Sequence, residues 1–297
     1  MTSPYDTLWG GDAPVVVDPR RDVVRVAGPD ATTFLQGQCS QDLAAVDVGA
    51  SAWSWVLQPT GKVDALVRAT RLDADTWLLD TDTGWAEPLV ARLVRFRLRT
   101  RVDVEQLDRP VVGLRGGGLA DVRARAAAEG AVAAAATWGG LAGVDLIGGG
   151  APSAASPTTG AAVADAGDWE AVRVEIGFPR MGAELTERTI PGETGLVERT
   201  VSFTKGCYTG QELVARIDSR GGNVPRRLVG LRLDGPMAAG SELRSADGGA
   251  GATLTSVARS PRLGVVALGY TRRGVEVGAV LHADGVAGEV VELPMAR

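Results

Sequence analysis

The chain has 297 residues, 45% of them apolar and 23% charged, with a net charge of −5. That is about twice the usual length of one domain, so two or three packed units are expected and a disordered or globally basic nucleic-acid-binding chain is disfavoured. One His (His282), two Cys (Cys39, Cys207) and two Lys (Lys62, Lys205) among 31 basic residues exclude a Cys-rich zinc site, a cluster held by four protein thiolates, and more than one disulfide.

The predicted elements begin with a short strand at Val23–Val26. Gly28-Pro29-Asp30 then opens a helix through Phe34 and Leu35. Trp53–Gln58 and Val63–Arg71 read as strands around the turn Pro59-Thr60-Gly61-Lys62. Trp77–Asp80 is a further strand and Ala86–Arg95 a helix. From Phe96 to Glu105 apolar and charged residues alternate, which predicts a strand with Arg95, Arg97, Arg99 and Arg101 as a basic stripe suited to a solvated face, a polyglutamate tail or RNA. This order resembles a ferredoxin-like layout.

Residues 113–167 are rich in Ala and Gly. Alanine content predicts a helix over 121–136, and 148–160 reads as a loop. A second α/β unit is expected to run on through residue 222. From Arg227, six short strands (Leu228–Leu233, Ser241–Arg244, Thr253–Ala258, Val265–Tyr270, Ala279–Ala283 and Glu289–Leu293) alternate with turns. That spacing suggests a small β-barrel or sandwich. The expected fold class is therefore α+β: two α/β parts over 1–110 and 111–224, then a barrel over 225–297.

The beginning of the chain, MTSPYDTLWGGDAP, lacks a basic segment followed by an apolar one, and no apolar run reaches the length of a membrane span. A cytoplasmic protein without a membrane partner is expected.

The densest chemistry lies in Thr204-Lys205-Gly206-Cys207-Tyr208-Thr209-Gly210-Gln211-Glu212. Leu213–Ile217 reads as a helix, and Thr209 and Glu212 have capping-box spacing. Cys207 would then lie just outside a helix N-terminus beside a cation, where thiolate is favoured over thiol. The same residues also suit a well-capped turn with an inert Cys. Gly206 and Gly210 allow a tight turn or close approach to a ligand.

Lys205-Gly206-Cys207-Tyr208-Thr209-Gly210-Gln211-Glu212 resembles the signature of YgfZ-type proteins, a folate-dependent branch of the glycine cleavage T-protein superfamily. Phe34-Leu35-Gln36-Gly37-Gln38, Gln41-Asp42-Leu43, Gly61-Lys62, Arg173, Glu175, Gly177, Pro179, Glu193-Thr194-Gly195-Leu196, Val214-Ala215-Arg216 and Ser260-Pro261 are similar to further family blocks. The resemblance spans about residues 20–295. It implies a ring of two α/β parts and a β-barrel around a tetrahydrofolate site, and a role in assembly or repair of iron–sulfur proteins and in dependent tRNA modification. Iron–sulfur client or assembly proteins are the implied partners; a monomer is expected and no resident metal. Cys207 and Lys205 become the candidate reactive residues.

For folate, Trp169 is the implied stacking partner, Glu175 the carboxylate for the pterin N–H groups, Arg173 its neighbour, Arg216 the partner of the glutamate tail, and Lys62 a cation in the hairpin facing the channel. The aminomethyltransferase branch carries paired aspartates in that hairpin; the equivalent positions here are Ala65 and Leu66. Asp64 lies one residue early, and strict alternation would point it to the face opposite Ala65. The leading expectation is a folate-binding maintenance factor. A folate-dependent one-carbon transferase and a scaffold with a vestigial pocket are the alternatives. Cys39 is expected to be packed and His282 to sit on a strand surface.

Overall fold

The computed structural model describes residues 3–148, 161–246 and 248–295. In chain order the first elements are α1 (Pro4–Gly10), β1 (Pro14–Val17), β2 (Arg21–Ala27), α2 (Ala31–Gln38), β3 (Ser51–Leu57), β4 (Val63–Arg71), β5 (Thr76–Asp82), α3 (Ala86–Arg95) and β6 (Asp103–Leu107). Strands β3-β4-β5-β2-β6 form one antiparallel sheet. Helices α2 and α3 cover one face, because Phe34, Leu35, Leu89 and Leu93 share a buried cluster with Val24, Val26, Ala65 and Val67. Apolar residues one helical turn apart meet alternate residues of a strand.

The next elements are β7 (Val111–Gly116), α4 (Leu119–Ala128), β8 (Val132–Ala135), β9 (Gly143–Ile147) and β10 (Ala162–Val163). Here the strand order is β10-β1-β7-β9-β8. Strand β1 thus crosses to the second sheet, where Val15 pairs with Arg115 and Val16 with Leu114. A division of the chain at residue 110 therefore does not follow the sheets.

Two sequence expectations fail in this half. The alternating stretch from Phe96 is no strand until Asp103; it is the turn that returns α3 to the sheet edge, with Arg99 at φ +56. Its arginines form no stripe: Arg97 donates to the Val102 carbonyl and Arg101 is paired with Asp30. The predicted helix over 121–136 stops at Ala128. Gly130 turns the chain at φ +74, and Val132–Ala135 pair with β9, so sheet pairing overrides the helix propensity of alanine. The predicted loop at 148–160 lies outside the described residues apart from Gly148.

Residues 164–225 carry no sheet strand. They form α5 (Ala166–Glu175), a short 3₁₀ turn at Pro191–Glu193, α6 (Val197–Thr200) and α7 (Gln211–Ser219). The barrel then closes as β11 (Arg226–Leu233), β14 (Gly264–Arg272), β13 (Gly251–Ser260), β12 (Glu242–Arg244), β15 (Val280–Ala283) and β16 (Val286–Val291), with β16 paired back to β11. Closure removes the open edges that short strands would otherwise present. His282 lies exposed on β15, as expected. Among the described residues, no helix is long and apolar enough to cross a membrane.

Candidate functional site

The signature segment folds back onto the first unit. Lys205 is only 9% exposed. Its Nζ donates to the carbonyls of Gln36 (2.7 Å), Cys39 (2.7 Å) and Gln41 (2.9 Å). Three donors thus meet three acceptors around the C-terminal end of α2, where orphan carbonyls favour a cation. Burial lowers the Lys205 pKa. Thr209 adds a backbone bond from its N–H to the Gly37 carbonyl, 3.0 Å. The Phe34–Gln38 block and the Lys205–Glu212 block are therefore two sides of one joint.

Cys207 is a free, exposed thiol between these anchors. Tyr208, next to it, is buried in the central apolar cluster, and the Lys205 ammonium lies 5.2 Å from its ring centroid. Burial pushes the Tyr208 hydroxyl up to about 12. The expected capping box is absent. Helix α7 is capped by Gly210 in a left-handed conformation with no side-chain cap bond. Gly210 takes this place because the turn requires φ +82. Cys39 is free and fully buried, and burial pushes its thiol up to about 11.

The hairpin contains a correction. The β3–β4 register shifts between Val56 and Leu57, which pair with Ala65 and Val63. Asp64 is thus the extra residue of a β-bulge, which resets the alternation. Ala65 packs with the α3 residues Leu89 and Leu93, and the Asp64 carboxylate accepts from Arg92 of α3 at 2.9 Å. Both therefore face the helices. Leu66 points into the central cluster, among Trp53, Trp55, Trp169 and Tyr208.

A second feature, absent from the sequence reading, joins the two sheets. Arg21 Nε pairs with Asp80 (2.7 Å), Asp80 with Arg68 (2.9 Å), Arg68 with Asp145 (2.8 Å), and Asp145 with Arg115 (2.7 Å). Every member is buried. Burial pushes the Asp145 pKa up, but Arg115 and Arg68 outweigh it and hold the carboxyl below its ordinary value. Asp82 behaves oppositely: burial raises its pKa despite Arg21 and the Met181 N–H. The available signal was a charge inside an apolar strand, as in Val67-Arg68-Ala69 and Val144-Asp145-Leu146.

Beside this ion chain lies a tight cavity walled by Trp53, Trp138, Trp169 and Phe178, with Arg21, Arg115, Arg173 and Arg180 among its polar lining. Trp53, Trp138 and Phe178 meet edge to face at 4.6–5.5 Å between centroids. Arg21 and Arg68 stack on Trp53, Arg115 on Trp169. Arg68 Nη2 is buried without a hydrogen-bond partner. Flat π faces and cations suit a planar heteroaromatic ligand bearing acceptors. The space is about 20 Å³, room for a water, so such a ligand enters only if the aromatic trio parts.

Of the residues proposed for folate, the structure brings Trp169 and Arg173 to this cavity. Arg173 is held by Glu170 and Glu184. Glu175 is not there. It is fully buried and accepts from Tyr5 Oη (2.6 Å) and Arg262 Nη2 (3.2 Å), so its oxygens are engaged where α5 meets the N-terminal helix and barrel. Burial, reinforced by Glu175, raises the Tyr5 pKa. Arg216 and Lys62 are exposed, on α7 and the hairpin turn, and line no part of the cavity.

A segment of 60 residues is 47% identical to the tRNA-modifying protein YgfZ of Yersinia pestis, covering 20% of this chain and 18% of that protein. That segment is similar to a YgfZ-type protein. An uncharacterized protein of Haemophilus influenzae is 26% identical over 206 residues, 68% of this chain and 67% of that protein. The fold matches the glycine cleavage system aminomethyltransferase T of Bartonella henselae with a TM-score of 0.83 and 21% identity, over 96% of this chain and 86% of that one. No family model matches the chain. The YgfZ-type likeness and the aminomethyltransferase-like fold thus meet in one molecule with a three-part architecture.

Proposed function

We propose that this YgfZ-type chain is a tetrahydrofolate-binding factor that supports assembly or repair of iron–sulfur proteins, and thereby tRNA modification that depends on them, with Cys207 as its functional thiol. The observation that carries this reading is the pairing of an aromatic–arginine cavity at the junction of the two sheets with an exposed thiol on a loop anchored at both ends. In this reading Trp169 and Trp53 offer faces to the pterin, while Arg115 and Arg173 meet its acceptors. Lys205 is a positioning residue, since its ammonium is fully engaged by carbonyls. The other signature residues, Gly206, Tyr208, Thr209, Gly210, Gln211 and Glu212, shape and anchor the Cys207 loop. The proposed setting is a reducing cytoplasm, consistent with two free cysteines.

Leu66 disfavours one-carbon transfer as the activity. By the resemblance, Leu66 stands where the aminomethyltransferase branch carries a carboxylate suited to proton management at a folate amine, and here that side chain is apolar and buried. Two measurements test the proposal. Calorimetry should detect tetrahydrofolate binding, accompanied by quenching of tryptophan fluorescence; no heat and no quenching would sink the folate reading. In a deletion strain, Cys207→Ser should fail to restore iron–sulfur enzyme activity, and full rescue would remove the thiol from the function.

A further inference from the structure

At about 20 Å³ the aromatic cavity is too small for the ligand its walls suit, so one wall must move. Three of the four aromatic walls are fixed in place. Trp53 carries the guanidiniums of Arg21 and Arg68, 5.2 and 5.4 Å from its ring centroid. Trp169 sits within α5, with Arg115 at 5.1 Å from its ring. Phe178 is tied through its backbone: its N–H donates to the Arg173 carbonyl (3.0 Å), and its own carbonyl accepts from Arg173 Nη1 (2.6 Å).

Trp138 is mounted differently. It opens the tight turn between β8 and β9, and β8 is the edge strand of its sheet. Trp138 and Leu141 exchange backbone bonds of 3.0 and 2.8 Å around Gly139 and Gly140, which have φ +53 and +81. That is a two-residue hairpin turn with both central residues left-handed. The base of the hairpin is pinned. The Ala136 N–H donates to the Gly143 carbonyl (2.9 Å), and the Ala135 carbonyl accepts from Arg68 Nη1 (3.2 Å). Over the turn itself reaches Arg199 of α6. Its Nη1 donates to the Thr137 carbonyl (2.9 Å), and its Cζ lies 4.5 Å from the Trp138 ring centroid. No described acidic side chain pairs with Arg199, so its guanidinium is spent on the backbone and the ring of this turn.

We propose that Trp138 is the moving wall of the aromatic cavity and that Arg199 is its latch. The ligand enters when the β8–β9 turn swings out and the Arg199 stack breaks. The proposal rests on the folate reading above. Closed, Trp138 completes the edge-to-face trio with Trp53 and Phe178. Open, the space it filled passes to the ligand ring. The latch therefore stabilises the empty form alone and subtracts from affinity, because a chain whose competent form is a minor fraction binds more weakly by that fraction. A cation on an indole face and one hydrogen bond shift such an equilibrium roughly tenfold.

The test is calorimetric and stopped-flow titration of the full chain with tetrahydrofolate. Arg199→Ala should bind roughly tenfold tighter, through faster association with dissociation unchanged. The sign is diagnostic, because a damaged fold or a lost contact to an anionic ligand weakens binding instead. Arg199→Lys should fall between the two, since an ammonium keeps part of the stack. Arg220→Ala removes the same charge at the end of α7 and should leave affinity within about twofold. In the free protein, amide exchange at Trp138 and Leu141 should quicken in Arg199→Ala, with Val144 and Leu146 of β9 unchanged. Tetrahydrofolate binding to Arg199→Ala no tighter than to the unaltered protein would overturn the latch and leave the folate reading standing. Binding to none of the proteins would overturn both. Exchange that quickens through β9 as well would mean that the hairpin melts, and would overturn the moving wall. Equal tightening in Arg220→Ala would reduce the effect to net charge and overturn the role of Arg199.

Discussion

Gly61 and Gly210 lie back to back. A Cβ on Gly210 would stand 3.2 Å from the Gly61 Cα and 2.5 Å from the Gln58 carbonyl oxygen; one on Gly61 would stand 2.5 Å from Leu213 Cβ. Both residues have positive φ, +81 and +82. The hairpin turn and the start of α7 can approach this closely only because neither carries a side chain at the contact.

Gly210→Ala should therefore cost about 2–4 kcal/mol, combining backbone strain with overpacking. Gly206→Ala is the contrast: its Cβ would meet nothing, and its effect should stay within about 0.5 kcal/mol. Urea unfolding of the two variants measures the difference, and equal stabilities would contradict the back-to-back packing.

Lys205→Met should destabilise the protein by about 2–4 kcal/mol, because three carbonyls lose their shared donor. Lys205→Arg should not restore it, since a planar fork cannot converge on three acceptors as an ammonium does. Hydrogen exchange at the end of α2 would locate the damage. Unchanged protection there would argue that the amine serves another purpose.

The two thiols should separate chemically. Cys207 is exposed and should react with an aromatic disulfide reagent in the native state. Cys39, buried and pushed up to about 11, should react only after unfolding. One fast equivalent in buffer, two in denaturant, and no fast equivalent in Cys207→Ser is the expected pattern.

Stability should depend on acid through Asp145. Its folded pKa lies below the ordinary carboxylate value, so below that value the unfolded chain binds more protons than the folded one. Its contribution is fully present above the ordinary value and is lost as pH falls through the folded one. Asp145→Asn should cost about 3–5 kcal/mol at neutral pH, because Arg68 and Arg115 lose a buried counter-charge. The gap to the unaltered protein should narrow below about pH 4. A constant gap down to pH 2 would mean that Asp145 stays ionised or contributes nothing through its charge.

Much of the architecture was legible in the residues alone. Strands β2 to β5, helix α3, the six barrel strands and the body of α7 follow from local periodicity and turn residues, both written in consecutive side chains. Where local patterns misled, a partner distant in sequence decided. Alanines 133–135 pair with β9 instead of extending α4, and the alternating Phe96–Arg101 segment is a turn because the chain must return to pair with β2. The bulge at Asp64 turned its carboxylate toward α3, which period-two reasoning assigned to the other face.

The sequence by itself determined the inventory: one His, two Cys, two Lys, and a signature segment that carries one of each of the last two. It also marked Trp169 and Arg173, which do line the cavity. Only the tertiary structure decided what these residues do. Lys205 is spent on main-chain carbonyls, which every residue possesses and no sequence pattern marks. Glu175 is engaged by Tyr5 and Arg262, from opposite ends of the chain. The ion chain from Arg21 to Arg115 exists because two separately folded sheets bring their buried charges face to face, and a buried charge must find its counter-charge in three dimensions.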